Sequence, residues 1–323
     1  MKTIAPTGGD FTTIQAAIDA IPQNNTVPII YYVKAGDYRE KVYVNKDFVT
    51  LLCEDGARVI WNDYALQLLP DGSTKNTFLT ATMLISGHDV CIKNLIIQND
   101  AGDGSVVGQA VALYAAGDRC SFYGCRFIAH QDTLYCGAVL NKTAHWALPY
   151  VLADTTENIA DRPPVEARQY YEDCYIRGDV DFIFGAFRCW FERCNLHCNQ
   201  RGGYYTAAST PHGQPYGFVF HDCTLTGDCQ DGACYLGRPW REHAKAAFLS
   251  CMMDACVHPQ GFCDWENPPR AVTSLLCEYR STGKGAQGER HPAMGQLTNS
   301  EAQSYSPAAV LLGDDGWQPW QGE

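Results

Sequence analysis

Short apolar segments that carry a cysteine recur along this chain. In each segment a Cys stands shortly after an aromatic or aliphatic position and is followed by one or two further apolar residues. Six segments share this pattern: Phe122–Phe127, Tyr171–Ile176, Phe191–Leu196, Phe220–Leu225, Phe248–Met253 and Leu275–Tyr279. A seventh segment, Ile92–Ile96, has Asn94 in the place of the Cys. We interpret these segments as β-strands of a repeated unit.

The spacing of the repeat indicates how the strands are arranged. From Asn94 onward the repeated positions lie 31, 49, 20, 29, 28 and 26 residues apart, so one coil length accounts for them if it is sometimes doubled or carries an insertion. Regular spacing of about 20 to 50 residues, with short strands and no long helical pattern, favours a stacked β-solenoid. We therefore predict an all-β parallel β-helix in which each repeated Cys is a small, buried packing residue rather than a metal ligand.

Three parts of the chain depart from the repeat. Apolar residues at helical spacing between Thr12 and Ile21 predict a short helix that caps the open N-terminal end of the solenoid. Residues 136–168 are predicted to form an inserted loop, and the sequence leaves open whether it is a substrate wall or a partner contact. Residues 284–323 are predicted to be a tail that packs on the solenoid, so that 1–323 is a single domain.

Composition narrows the class of protein. The chain has 323 residues with 46% hydrophobic and 19% charged residues, an ordinary globular balance. Its formal net charge of -12 argues against nucleic acid or an anionic membrane as a partner. No apolar stretch reaches the length of a membrane span or, near Met1, of a signal peptide, which predicts a cytoplasmic protein, or a secreted one if a leader has been removed. The 16 cysteines are then expected to be mostly free thiols.

Three segments far apart each carry one polar group that ester hydrolysis would need. They are Gln131–Tyr135, Val180–Gly185 and Leu236–Trp240, which contain Asp132, Asp181 and Arg238. Two carboxylates can divide such work if one stays ionised and the other stays protonated. A nearby arginine would decide which one is ionised.

In this order, and with Gln109–Leu113 upstream, these segments resemble the signature of the pectin methylesterase family, the carbohydrate esterases that demethylate homogalacturonan. Gly9–Ile18 is similar to the opening of that family, and Gly36–Glu40 to its early motif, which we interpret as structural. The resemblance implies a single-stranded, right-handed parallel β-helix of the pectin-lyase type. It also implies methylesterified homogalacturonan or oligogalacturonide as the substrate, no cofactor, no metal, and a monomer.

The resemblance also implies a role for each residue. Asp181 would be the nucleophile that forms an acyl-enzyme, and Asp132 would protonate the leaving methanol and then activate water. Arg238 would keep Asp181 ionised by lowering its pKa. Gln109 and Gln131 would donate hydrogen bonds to the oxyanion, although both could equally belong to an interior amide ladder.

Aromatic residues beside these groups are candidates for sugar contacts. Trp240 and Tyr135 would be platforms for sugar rings, and Phe182, with its neighbours Ile183 and Phe184, would keep the site dry or face the substrate. The nine histidines show no paired spacing for a metal. Two alternatives remain: another β-helix enzyme acting on polygalacturonate, as a lyase or a glycosidase, and a β-helix that binds carbohydrate without catalysis. The presence of both Asp132 and Asp181 favours the esterase.

Overall fold

The computed structural model describes residues 1–138 and 167–321. They fall into two compact units, Met1–Ala167 and Arg168–Glu323, each described here by itself. Apart from its two ends, the predicted insertion at 136–168 lies outside the described residues, and its role stays a prediction.

The first unit consists of three parallel sheets. Its first sheet contains β1 (Lys2–Ile4), β2 (Ile29–Val33), β5 (Val49–Cys53), β8 (Cys91–Lys93) and β11 (Cys120–Tyr123). Its second sheet contains β3 (Gly36–Tyr38), β6 (Ala57–Trp61), β9 (Ile96–Asn99) and β12 (Arg126–Ile128). Its third sheet contains β4 (Val42–Val44), β7 (Met83–Ile85), β10 (Leu113–Ala115) and β13 (Leu134–Cys136). Since successive strands move from sheet to sheet, each coil adds one strand to every layer.

The second unit repeats this arrangement. Its first sheet contains β14 (Arg168–Glu172), β17 (Arg188–Glu192), β20 (Phe218–His221), β23 (Lys245–Leu249), β25 (Leu275–Tyr279) and β26 (Met294–Gln296). Its second sheet contains β15 (Tyr175–Gly178), β18 (Asn195–Cys198), β21 (Thr224–Gly227) and β24 (Met252–Met253). Its third sheet contains β16 (Ile183–Gly185), β19 (Gly203–Ala208) and β22 (Cys234–Gly237). The paired strands are parallel, as predicted for a β-helix.

A left-handed corner residue precedes each repeated cysteine. The corners have φ between 49° and 63° and are Asn94, Gly124, Asp173, Arg193, Asp222, Ser250 and Arg280. The strand register therefore corrects two positions of the predicted repeat. Asn94 is the corner itself and aligns with Gly124, so Leu95 occupies the cysteine slot. Cys277 lies inside β25 opposite Ala247, so Ser281 occupies that slot in its coil.

Like residues stack in the interior of the second unit. Tyr171, Phe191, Phe220 and Phe248 form a column of parallel rings with centroid spacings of 4.5, 4.6 and 4.7 Å. Beside it, Cys174, Cys194, Cys223 and Cys251 are all buried. The Cys223 thiol donates to the Phe191 carbonyl oxygen at 3.4 Å, and the thiols of Cys194 and Cys251 make similar bonds to the preceding coil. The packing role predicted for these cysteines is confirmed.

The predicted N-terminal helix is present as α1 (Ile14–Asp19). Thr13 caps it by accepting a hydrogen bond from the Ala16 N–H, and Ile14, Ala17 and Ile18 are buried. Glu40 accepts hydrogen bonds from the first two helical N–H groups, at 2.7 and 3.0 Å. A carboxylate there satisfies donors that an α-helix leaves unpaired, which explains the structural role of the Gly36–Glu40 motif.

The other helical segments are short. They are α2 (Gly104–Val107), α3 (Pro268–Thr273), α4 (Asn299–Ala302), α5 (Pro307–Leu311) and the 3-10 turns Thr77–Leu79, Lys284–Ala286 and Pro319–Gln321. In the second unit Arg188 donates to the Val310 carbonyl of α5 at 3.3 Å, and Arg168 pairs with Asp315, so the tail residues contact β14 and β17. Within the described ranges, no helix is long and apolar enough to cross a membrane.

Candidate active site

Asp181 and Arg238 form a buried, two-fold hydrogen-bonded pair in the second unit. Arg238 donates from Nε to Oδ1 of Asp181 at 2.8 Å and from Nη2 to Oδ2 at 2.7 Å. Their side chains are 11% and 17% exposed, respectively. A charge-assisted pair of parallel bonds fixes both the position and the orientation of the carboxylate. The structure thus brings together two of the residues predicted from the sequence.

The backbone on both sides of the pair is fixed by close packing. Asp181 lies two residues before β16 and has a φ of 53°, a left-handed conformation that is uncommon outside glycine. Arg238 follows β22, and its N–H donates to the Thr206 carbonyl at 3.0 Å. A Cβ on Gly237 would come within 2.1 Å of Thr206 Oγ1, so only glycine fits there. The Gly-Arg-Pro sequence therefore sets where the Arg238 side chain begins.

The electrostatics of Asp181 differ from the prediction. Burial raises the pKa of Asp181 above its ordinary value, and the hydrogen bonds and charge of Arg238 offset only part of that effect. Arg238 thus lowers the pKa of Asp181 in the predicted direction, but the net pKa stays above the ordinary value. The physical reason is that removing the carboxylate from water outweighs the attraction of one arginine. A carboxylate with a raised pKa is more basic than an exposed one, and such a group is also a better nucleophile.

Two aromatic rings against Arg238 were not identified from the sequence. The guanidinium carbon lies 4.0 Å from the centre of the Tyr204 ring and 3.6 Å from the centre of the Trp265 ring. Tyr204 stands in β19, one coil beyond Asp181, and its position follows from the register of β16 with β19. The aromatic pair Tyr204–Tyr205 after two glycines was a signal for Tyr204, whereas nothing in the sequence around Trp265 pointed to Arg238.

Asp132 occupies a comparable place in the first unit. It lies two residues before β13, as Asp181 does before β16, and its φ of 64° is likewise left-handed. Asp132 is 8% exposed, and the adjacent Thr133 is fully buried. Its carboxyl group is thus held on a constrained backbone at the end of a coil turn, which suits a positioned acid or base.

Gln109 and Gln131 are also in the first unit, on successive coils. The Ala110 N–H donates to the Gln131 carbonyl oxygen at 3.1 Å, and Ala65 N–H donates to that of Gln109 at 2.8 Å. Both residues are partly exposed. Among the described residues, neither amide side chain has a hydrogen-bond partner, so their N–H groups are available to a ligand. An interior amide ladder does not fit this arrangement.

The predicted aromatic contacts divide into buried and accessible rings. Tyr135 is 3% exposed and packs edge-on against Tyr114 and Phe78, with centroids 4.6 and 5.2 Å away. Phe182 has no exposed surface and packs on Tyr205. We correct Tyr135 from a substrate contact to a buried support, because a sugar cannot reach a covered ring. Of the two roles predicted for Phe182, its position fits the buried residue that keeps the site dry. Trp240 is partly exposed beside Phe184, and its role as a platform stays a prediction.

Over residues 1–138 and 167–321, no group of three His, Cys, Asp or Glu side chains is arranged to hold a metal ion. The residues gathered at Asp181 are instead a carboxylate, a guanidinium and aromatic rings. Such a set can hold a charged nucleophile in a dry environment.

Comparison with known proteins gives a consistent family. The family model described as Pectinesterase matches residues 3–140 and 164–322, and the gap between the two matches falls within the predicted insertion. Pectinesterase 31 of Arabidopsis thaliana is 34% identical over 304 residues, which are 91% of this chain and 86% of the relative.

Solved structures agree with this result. The pectin methylesterase from carrot matches with a TM-score of 0.79 and 26% identity, over 96% of this chain and 92% of that protein. A pectin methylesterase in complex with hexasaccharide VII matches with a TM-score of 0.77 and 27% identity, over 97% of each chain. The prediction of a right-handed parallel β-helix is confirmed by these matches and by the three-sheet coils.

Proposed function

This chain belongs to the pectinesterase family and hydrolyses the methyl esters of pectin, and we propose that Asp181 is the nucleophile of this reaction. The observation that carries the proposal is the buried pair of Asp181 and Arg238. Arg238 directs the carboxylate and neutralises its charge, while burial keeps the carboxylate basic. Attack of an Asp181 oxygen on the ester carbonyl carbon forms a tetrahedral oxyanion, and expulsion of methoxide leaves an acyl anhydride on Asp181.

We assign the proton transfers to Asp132. As an acid it gives its proton to the departing methoxide, which leaves as methanol. The resulting carboxylate then takes a proton from water, whose oxygen attacks the anhydride and frees Asp181. The match of Asp132 to the family motif supports this role, as does its burial on a left-handed turn. The proton that Asp132 takes from water in the second step restores its acid form for the next turnover.

Gln109 and Gln131 are proposed as the oxyanion donors. Their amide groups have no partner among the described residues, so they can donate to an oxygen that becomes negative during attack. Donors of this kind contribute most when they are aimed at the transition state, because the charge there is larger than in the ester.

The substrate is proposed to be methylesterified homogalacturonan or a methylesterified oligogalacturonide. The complex of a structural relative with a hexasaccharide supports a carbohydrate ligand. Trp240, partly exposed beside Phe184, offers a ring on which a sugar could stack. A single-domain monomer remains part of this proposal. The cytoplasmic location predicted from the sequence gains no support from the relatives, and secretion is the alternative.

The test is methanol release from methylesterified oligogalacturonides of defined length, with a chelator present. We expect release by the wild type, and none by Asp181→Ala or Asp181→Asn. The matched control is Asp222→Asn, because Asp222 has the same left-handed φ of 53° but is exposed at a corner of the solenoid. This control should retain the wild-type rate.

Other outcomes would identify a different function. Wild-type rates from folded Asp181 variants would remove the proposed nucleophile. Oligomer binding without methanol release by the wild type would indicate a binding module. Shortened oligomers would indicate a lyase or a glycosidase, and loss of activity with chelator would show that a metal is needed.

A further inference from the structure

The guanidinium of Arg238 is enclosed by aromatic rings. Its central carbon is 3.6 Å from the centre of the Trp265 ring and 4.0 Å from that of Tyr204. Both rings therefore lie within cation–π distance of the same guanidinium. The edge of the group is directed at Asp181 through Nε and Nη2. Contact with two rings restrains the plane of the cation, and each contact also stabilises the positive charge.

Trp265 is held in place by an unusual backbone. Trp265 and Glu266 both have left-handed conformations, with φ of 60° and 52°. Such conformations cost free energy in bulky residues and persist only where the surroundings enforce them. The surroundings here are hydrogen bonds: the Glu266 N–H donates to Asp264 Oδ1 at 2.9 Å, and the Asn267 N–H donates to the Asp264 carbonyl at 3.0 Å. This left-handed turn carries the indole that packs against Arg238.

The segment after Trp265 is also tied to the Arg238 segment. Asn267 caps α3, and Arg270 in that helix donates from Nη1 to the Pro239 carbonyl at 3.1 Å. The backbone that carries Trp265 therefore cannot move without disturbing the neighbour of Arg238.

Tyr204 is supported from behind by two further rings. Tyr235 stacks on it with centroids 5.5 Å apart, and His258 stacks on Tyr235 at 3.9 Å. The Phe182 N–H donates to the Tyr204 carbonyl at 3.3 Å, which links this strand to the residue after Asp181. The rings and the guanidinium thus form one column: Trp265, Arg238, Tyr204, Tyr235 and His258.

We propose that Trp265 and Tyr204 are positioning residues that hold the Arg238 guanidinium in the plane in which it makes both hydrogen bonds to Asp181. The proposal rests on the proposed role of Asp181 as nucleophile. It assigns the two rings no contact with the reacting atoms. Their effect on the reaction passes through Arg238, because a tilted guanidinium loses one of the two bonds.

The expected signature is a change in the pH dependence of turnover. Burial already raises the pKa of Asp181, and only the arginine opposes that shift. A loosely held Arg238 opposes it less, so a smaller fraction of Asp181 is ionised at acid pH. The titratable groups that face Arg238 are Asp181, Tyr204 and the Cys263 thiol, and Cys263 also hydrogen-bonds with Tyr204.

The experiment compares Trp265→Leu, Trp265→Phe and the control Trp320→Leu by methanol release across the pH range. Trp320 is a partly exposed tryptophan of the same unit that makes no ring contact with Arg238. We expect Trp265→Leu to lower kcat/KM about tenfold on the acid limb, the size of a one-unit rise in pKa, with a much smaller loss at the plateau. Trp265→Phe should recover most of this loss, because a ring is restored. Trp320→Leu should match the wild type.

A second measurement separates this proposal from the proposed function. Carbon NMR of isotope-labelled aspartate reports the titration of Asp181 without any substrate. The Asp181 signal is identified as the one that is missing in Asp181→Asn. A higher midpoint for Asp181 in Trp265→Leu supports the positioning role even if the protein releases no methanol. An unchanged midpoint, or an equal loss of kcat/KM at every pH in both Trp265 variants, would overturn it.

Discussion

The guanidinium of Arg238 makes two hydrogen bonds, of 2.8 and 2.7 Å, to the carboxylate of Asp181. The two residues are 57 positions apart in the sequence. The register of the third sheet makes this possible. β16 pairs with β19 and β19 pairs with β22, so Arg238 begins two coils from Asp181 and its long side chain spans the gap. Both partners are mostly buried, and neither can be removed without leaving an unpaired charge.

The pH dependence of turnover follows from the raised pKa of Asp181. With Asp181 as the proposed nucleophile, the ionised carboxylate would be the reactive form, so kcat/KM should fall as pH drops through this pKa. The acid limb is therefore expected above pH 3.8, the ordinary value for Asp. The measurement is kcat/KM against pH with a fully methylesterified oligogalacturonide, which carries no carboxylate of its own. An acid limb at or below pH 3.8 would contradict the burial argument.

Replacing Arg238 by lysine should remove most of the activity. A lysine ammonium can make one of the two bonds but cannot present a planar fork, and it lacks the flat faces that contact Tyr204 and Trp265. We expect kcat to fall by about 100-fold, the scale seen when one electrostatic contact is lost from an active site. Steady-state methanol release measures the loss, with Arg58→Lys as the control because Arg58 makes the same two-fold pair with Asp37, at 2.9 and 2.8 Å, on the surface. Near-normal turnover by Arg238→Lys would make Arg238 a structural residue.

Asp132→Asn tests the proton transfers through the leaving group. Asparagine cannot give up a proton, so methyl ester hydrolysis should slow by about 100- to 10,000-fold. Trifluoroethoxide is a good leaving group that needs no acid. With a trifluoroethyl ester, Asp132→Asn should therefore slow the first step much less than with the methyl ester. Rapid-mix kinetics with that ester should then show a burst of alcohol equal to the enzyme, since no base remains to hydrolyse the anhydride. Equal losses for both esters and no burst would contradict the assignment.

Stability should depend on the aromatic column of the second unit. Phe220 is fully buried between the rings of Phe191 and Phe248, 4.6 and 4.7 Å away. Phe220→Ala leaves a cavity and should lower the free energy of unfolding by about 3–5 kcal/mol. Phe220→Leu keeps most of the volume and should cost about 1.5 kcal/mol or less. Urea unfolding measures both, and equal stability of the two variants would show that the column does not support the coils.

The cysteines should react according to their burial. Over the described residues, which include all 16 cysteines, no disulfide is formed, and only Cys91, Cys229 and Cys263 are partly exposed. A thiol reagent should therefore modify about three groups in the native protein and all of them after unfolding, since buried thiols are inert. Fewer than 16 reactive groups in the unfolded, unreduced protein would reveal disulfides and favour a secreted protein.

The repeating layer structure and the identity of the polar groups follow from the amino-acid sequence alone. Recurring apolar positions such as Phe191 and Phe220, followed by a cysteine, define strands that must bury one face, and their spacing allows a stacked solenoid. Asp132, Asp181 and Arg238 were found because short motifs surround them. The corner at Asn94 was misaligned by one residue, because composition alone does not show which residue takes the left-handed turn.

The chemical behaviour of these groups depends on contacts that form when the chain folds. The register of parallel strands brings Arg238 to Asp181, and the same stacking covers Tyr135 and Phe182, which the sequence had offered as substrate contacts. The net pKa of Asp181 is a balance between burial and one arginine, and that balance depends on distances that no motif encodes. Trp265 lies on a separate turn whose contact with Arg238 exists only after folding. Motifs specify which groups are present, whereas packing determines their surroundings and therefore their chemistry.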